Sequence, residues 1–434
     1  MVNRREFLGI TAGAGATLSL TPALLRALQQ QGGKLMQRAI PSSGEMLPII
    51  SYAPRVTDGA AIKEILKTLA DNGGRVVDVL HGGPDGEQAA RKAASELGIQ
   101  NKFFWTTPLS VTIPVLPGYA GSPPKPNPAD VRAALETKLT AFKVPRIDLV
   151  MVGTGVDMPT HLGVLREMKK EGKVRYIGVH HLAFPPNAPM PPFGELESVM
   201  RNEQLDFVGT DYSIGDRRVE ETILPLAQER KIGFLAYFPF DRGRLFKRIG
   251  TTPLPEWAAE FDAKTWAQFL LKYVLSHPAV TVAREGTTNA AHMLDNIGGG
   301  IGRLPDQATR KRMAALVDTL PPTPAPTPTV INVPPQGNPA NQPPPIVLSA
   351  DVMDRYVGEY TYVAASQNVT VRRNGDRLFV KIQGNVPEAP LAPRSETRFQ
   401  GPFGLIFEFQ LDAQGKVTGA VVEQGPYRIP LDRR

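Results

Sequence analysis

Asp78 closes the apolar run RVVDV, and His81 follows three residues later. A second run, EGKVRYIGVHH at 171–181, ends on His180 and His181. A carboxylate beside imidazoles is equipment for proton transfer near neutral pH, where imidazole changes charge. Asp78, His81 and His180 therefore form the candidate catalytic set, and a hydrolase or lyase is one reading of it. The same groups have metal-ligand chemistry. Neighbouring residues of a strand point to opposite faces, however, so His180 and His181 are not expected to share an ion. No metal is assigned. The chain has no Cys, which removes thiolate nucleophiles, disulfides and Cys-based metal sites.

The elements that must position these groups alternate along the chain. Gly172 suits the left-handed position after a helix, and Val174, Ile177 and Val179 are the β-branched filling of a strand covered on both faces. Similar strands are expected at 49–52, 75–79, 103–106, 147–152, 206–210, 233–237 and 280–283. Amphipathic helices are expected between them, at 60–72, 87–97, 129–142, 160–171, 218–229 and 263–276. Strand–helix units in this number predict an α/β TIM (β/α)8 barrel over 38–320, with its functional groups at the C-terminal strand ends. Residues 321–347, rich in proline, predict an extended linker. Beyond it, 348–434 reads as a small antiparallel β-domain, with strands at 369–373, 378–383, 405–411 and 417–423 and hairpin turns at Asn374-Gly375 and Gly415.

Of the 434 residues, 42% are hydrophobic and 21% charged, the balance of a folded chain long enough for two cores. The net charge of +7 is scattered rather than clustered, so nucleic acid is not an expected partner. Arg4-Arg5 before the apolar run from Gly9 to Leu20 predicts a twin-arginine export signal over 1–33. The run is too short to span a bilayer, but left uncleaved it would tether the protein to the membrane, facing the periplasm.

Three stretches in order resemble the aldo-keto reductases: EGKVRYIGVHH, then DYSIGDRRVEETILPLAQERKIGFLAYFPFDRGRL at 211–245, then HPAVTVAREGTTNAAHMLDNIGG at 277–299. The C-terminal part, through YVGEY and GKVTGAVVEQ, resembles small β-domains appended to exported serine-hydrolase-like proteins. The first resemblance implies an NAD(P)-dependent oxidoreductase acting on a small carbonyl or alcohol. It implies a tetrad of Asp, Tyr, Lys and His at the barrel mouth. Asp78 matches the Asp. The Tyr is replaced at Gly83-Pro84, the Lys at Thr107 or Pro108, and the His at Gly153. Loss of a positioned general acid costs about 10²–10⁴ in rate, which argues against standard carbonyl reduction.

On the cofactor side, Tyr237 matches the aromatic that stacks on nicotinamide. His180 and His181 replace groups that grip its carboxamide, and Gly209 replaces a glutamine. Gly286, Thr287 and Asn296 match the phosphate and adenine side, while Glu285 and Thr288 depart from it. NADP or NAD is the implied cofactor, and the carboxylate of Glu285 weighs against the extra phosphate of NADP. A non-catalytic envelope protein binding a small molecule in a degenerate barrel is the alternative. Without the lysine, a partly buried Asp78 costs on the order of several kcal/mol unless partnered. A histidine, a bound cation or ordered water is the expected partner.

Overall fold

The computed structural model describes residues 33–54, 58–80, 83–183, 190–322, 346–384, 386–425 and 427–434. The expected export signal and most of the expected linker lie outside these residues. The chain divides into two compact units. The first takes in the described residues of 33–110, 131–154 and 161–322; the second takes in those of 111–130, 155–160 and 346–434.

The first unit is a closed parallel barrel of eight strands. These are β3 (Ile50–Pro54), β4 (Val76–Asp78), β5 (Phe104–Leu109), β6 (Ile147–Gly153), β7 (Val174–His181), β8 (Phe207–Asp211), β9 (Gly233–Tyr237) and β10 (Val280–Thr287), with β10 closing on β3. Helices fill most of the connections, among them Gly59–Asp71, Pro128–Phe142, Met158–Lys170 and Trp266–Leu275. Their ends follow local chemistry. The Asp58 carboxylate accepts from the Ala60 amide, and Gly172 turns the chain at φ 77° after Lys170.

Strand alternation sorts the side chains of this barrel. Val76, Phe104, Leu149, Met151, Tyr176, Phe207, Leu235 and Val282 share one interior cluster. A hairpin of β1 (Gln37–Ala39) and β2 (Met46–Pro48) contributes Ile40 and Leu47 to the same cluster and so plugs the N-terminal end. Two residues further along the strands, and four along β7, the same inward parity carries Asp78, Thr106, His180, Gly209, Tyr237 and Arg284 to the opposite end.

The second unit holds a closed antiparallel barrel of eight strands, twice the number expected from the sequence. It runs from β11 (Gly358–Tyr362) through β12 (Gln367–Asn374), β13 (Arg377–Ile382), β14 (Ala389–Pro393), β15 (Arg398–Gln400), β16 (Ile406–Leu411) and β17 (Val417–Gln424) to β18 (Tyr427–Arg433), which pairs back with β11. The turn at Asn374-Gly375 forms as expected, with Gly375 at φ 61°. Tyr356, Tyr360, Phe399, Phe407 and Phe409 fill the core, and Leu116 from the 111–130 segment is buried among them.

Candidate functional site

Asp78 ends β4 with its side chain 2% exposed, and its partner is Arg284 of β10. Arg284 Nε lies 3.0 Å from Asp78 Oδ1, and the Leu80 amide donates to the same oxygen at 3.0 Å. The expected histidine, ion or water partner is thereby corrected to an arginine from the last strand. Strand order makes this reach feasible: β3 separates β10 from β4, and the small inward residues Ser51 and Ala53 stand between. The sequence did carry a signal, a cation at inward parity two residues after Val282 in an otherwise apolar run.

Two glycines shape the rest of this end. A Cβ on Gly209 would sit 2.6 Å from Tyr237 Cζ, so the absence of a side chain there is what admits the tyrosine ring. The ring is fully buried, with the Arg284 guanidinium 5.2 Å from its centroid. Burial, with the nearby Asp78 charge adding to it, pushes the Tyr237 phenol well above its ordinary range. A Cβ on Gly153 would likewise meet His180 Cε1 at 2.9 Å, so the imidazole occupies the space that a side chain at 153 would take. Desolvation lowers the His180 pKa to about 4, outweighing the opposing pull of the Asp78 charge, and its Nδ1 is buried without a hydrogen-bond partner.

His181 points the other way, as alternation requires. Its Nδ1 meets Thr154 Oγ1 at 2.9 Å and its Nε2 meets the Pro191 carbonyl at 3.2 Å. A carbonyl only accepts, so Nε2 carries the proton and Nδ1 accepts from Thr154. Both ring nitrogens are thus engaged in holding the loop. His81 lies outside the described residues. Thr107 turns outward, accepting from Arg91 at 3.1 Å and donating to Glu87 at 3.0 Å, so no lysine equivalent enters from β5. Among the described residues, no group of three or more His, Asp or Glu is arranged to hold a metal.

Sequence reasoning missed a second charged pair. Asp211 ends β8 at the level of Tyr237 and pairs with Arg242 from the loop after β9. Burial raises the Asp211 pKa to about 6 despite the cation. Its Oδ1 and Arg242 Nε are buried and unpartnered, as is Thr106 Oγ1 beside Asp78 in register. Phe238, Asp241 and Arg242 all adopt left-handed backbone, at φ 51°, 51° and 53°. Such residues cost about 1–3 kcal/mol each and cluster where ligands are handled.

Residues 57–312, more than half of the chain, match the profile of the aldo/keto reductase family. The chain belongs to that family. One curated relative, "Probable aldo-keto reductase 1" of Glycine max, is 26% identical over 219 residues, spanning 44% of this chain and 61% of the relative. The match therefore covers less than two thirds of that relative's length. Among solved structures, the holo form of aldo-keto reductase AKR11C1 from Bacillus halodurans superposes with TM-score 0.51 at 20% identity, covering 65% of this chain and 96% of its own. Glycerol dehydrogenase AKR11B4 from Gluconobacter oxydans gives 0.51 at 18%, covering 67% and 97%. At these identities they establish the barrel of this aldo/keto reductase family member and not its chemistry.

The residues present do not fit the nicotinamide dinucleotide that the family implies. Tyr237, expected to stack on nicotinamide, offers no exposed ring face. At the other end, residues 285–296 contain no Lys or Arg, Glu285 is buried, and Arg284 is committed to Asp78. Thr287 Oγ1 bonds the backbone of Asn289, whose own side chain caps the Ala291 amide, while Asn296 is buried in the helix Ala290–Gly299 beyond. Gly286 continues β10 in register with Ala53.

Proposed function

We propose that the parallel barrel binds a small polar molecule, a carbonyl or hydroxyl compound, and does not carry out nicotinamide-dependent reduction by the family's route. The observation that carries this reading is the Asp78–Arg284 pair with the Tyr237 ring packed beside it. It occupies the strand ends where a proton donor and a stacked nicotinamide would have to meet. Polar capacity remains there. Asp211 Oδ1, Arg242 Nε, His180 Nδ1 and Thr106 Oγ1 are buried and unpaired, and buried polar atoms of this kind are normally satisfied, here by a ligand. The Arg4-Arg5 leader supports action outside the cytoplasm, where a reduced dinucleotide is not regenerated.

A second reading has one observation in its favour. A phenol, a carboxylate, a cation and an imidazole all lie at these strand ends, on Tyr237, Asp78, Arg284 and His180. This is the set of side-chain types the family uses, drawn from other strands. Under it, Tyr237 replaces the lost proton donor.

Titration of the full chain with NADPH and NADH, followed by tryptophan quenching and by cofactor oxidation with a panel of aldehydes and ketones, separates the two. No saturation at millimolar cofactor, with a thermal shift from small hydroxy or carbonyl compounds alone, supports the binding reading. Micromolar cofactor affinity with turnover abolished by Tyr237→Phe would overturn it in favour of the second.

A further inference from the structure

Residues 110–127, between β5 and the helix Pro128–Phe142, have no regular secondary structure. Connections of this length without elements of their own are uncommon and usually functional. Within the second unit this segment is held by the antiparallel barrel. The Gln367 carboxamide, 2% exposed, makes both backbone bonds of Leu116: the Leu116 amide donates to Oε1 at 2.8 Å, and Nε2 donates to the Leu116 carbonyl at 3.1 Å. That is the pair of bonds a neighbouring strand would provide. The Leu116 side chain, 1% exposed, joins the barrel core that contains Tyr360, Val369 and Ile429, and Ile113, Val115 and Tyr119 pack against it.

Gly384 completes the receptor. Its φ of 116° suits glycine, and a Cβ there would lie 2.1 Å from the Gly118 carbonyl oxygen, so the two backbones touch. The occupant is suited to capture. Pro114 and Pro117 bracket Val115-Leu116 and restrict the unbound chain, which lowers the entropy lost on docking. Neither proline has an N–H, and Gln367 satisfies the amide and carbonyl of the leucine between them.

We propose that the antiparallel barrel is a receptor for an extended, proline-bracketed apolar peptide, and that its resident occupant is the chain's own Ile113–Tyr119. Within the second unit, the barrel then serves to hold this segment in an extended form. The recognition is by backbone clamp and apolar side chain, without charge.

Two arms on the full chain test this. Amide exchange followed by mass spectrometry should show 111–120 protected in the wild type. In Gln367→Leu it should speed up about tenfold or more, while 417–424 stays protected. Unchanged exchange of 111–120 in that variant overturns the clamp. The second arm places the lesion in the occupant. Leu116→Asp should empty the receptor, so that a fluorescent peptide of sequence VTIPVLPGYAGS binds the Leu116→Asp chain and not the wild type. Absence of binding, or equal binding of a scrambled peptide, overturns the proposal even where Gln367→Leu has loosened 417–424.

Discussion

Arg284 and Asp78 meet across the first strand of the parallel barrel, 3.0 Å apart with both side chains 2% exposed. The resemblance implied a lysine at the end of the third strand; the cation that this structure places beside Asp78 is an arginine from the eighth. The pair matters because a buried carboxylate left without a partner is the costlier state.

Removing both members should therefore cost less than the two single removals added together. Arg284→Met and Asp78→Asn are each expected to destabilise the first unit by about 3–5 kcal/mol, and the double variant by clearly less than their sum. Urea unfolding of the four proteins measures the coupling. Additive losses would mean that the two groups do not depend on each other.

The slot above Gly209 gives a steric test. Gly209→Ala places a methyl 2.6 Å from Tyr237 Cζ, and the ring has to move. A loss of about 1–3 kcal/mol is expected, and it should shrink in the Gly209→Ala/Tyr237→Ala background, where the obstacle is gone. A Gly209→Ala protein as stable as the wild type would place the ring elsewhere.

His180 should stay neutral through the physiological range. Its pKa, about 4, lies below the ordinary value of 6.5, because burial penalises the imidazolium. The stability it lends is complete above pH 6.5 and is lost as pH falls from 6.5 toward 4. His277, also lowered to about 4 by burial, acts in the same direction. Imidazole proton resonances of the full chain should show no His180 titration between pH 7 and 5, and His180→Asn should flatten the acid limb of the stability curve. A midpoint near 6.5 would refute the buried placement.

Asp295 has the opposite sign. It accepts from Thr265 Oγ1 at 2.9 Å and Gln268 Nε2 at 2.8 Å, yet burial raises its pKa from 3.8 to about 6. Its favourable contribution is full below pH 3.8 and is lost as pH rises through 6. Asp295→Asn should raise the melting temperature at pH 8 and leave it nearly unchanged at pH 4. A lower melting temperature at pH 8 would mean that the charge is needed by its two donors.

The parallel barrel was legible because strands covered on both faces read as long apolar runs. β9 falls on its expected limits, and β7 extends the expected run only through the two histidines. Half of the antiparallel barrel was hidden. β14 and β18 contain Pro390, Pro393 and Pro430, which argue against a strand when only the sequence is seen. The site was legible residue by residue and not as a set. Asp78 and Tyr237 stand out as types, but which cation meets the carboxylate, and which ring fills the space of a missing side chain, depend on strands far apart in the chain. The docking of Leu116 on Gln367 is similarly non-local.

Closure of the second barrel by the pairing of β18 with β11 has a consequence for how it meets other molecules. A ring of strands leaves no open row of amides and carbonyls along its side, so another chain cannot join it by adding a strand. Side-by-side stacking into fibrils is discouraged for the same reason. Encounters with the outside must pass through side chains and the rims of the cylinder.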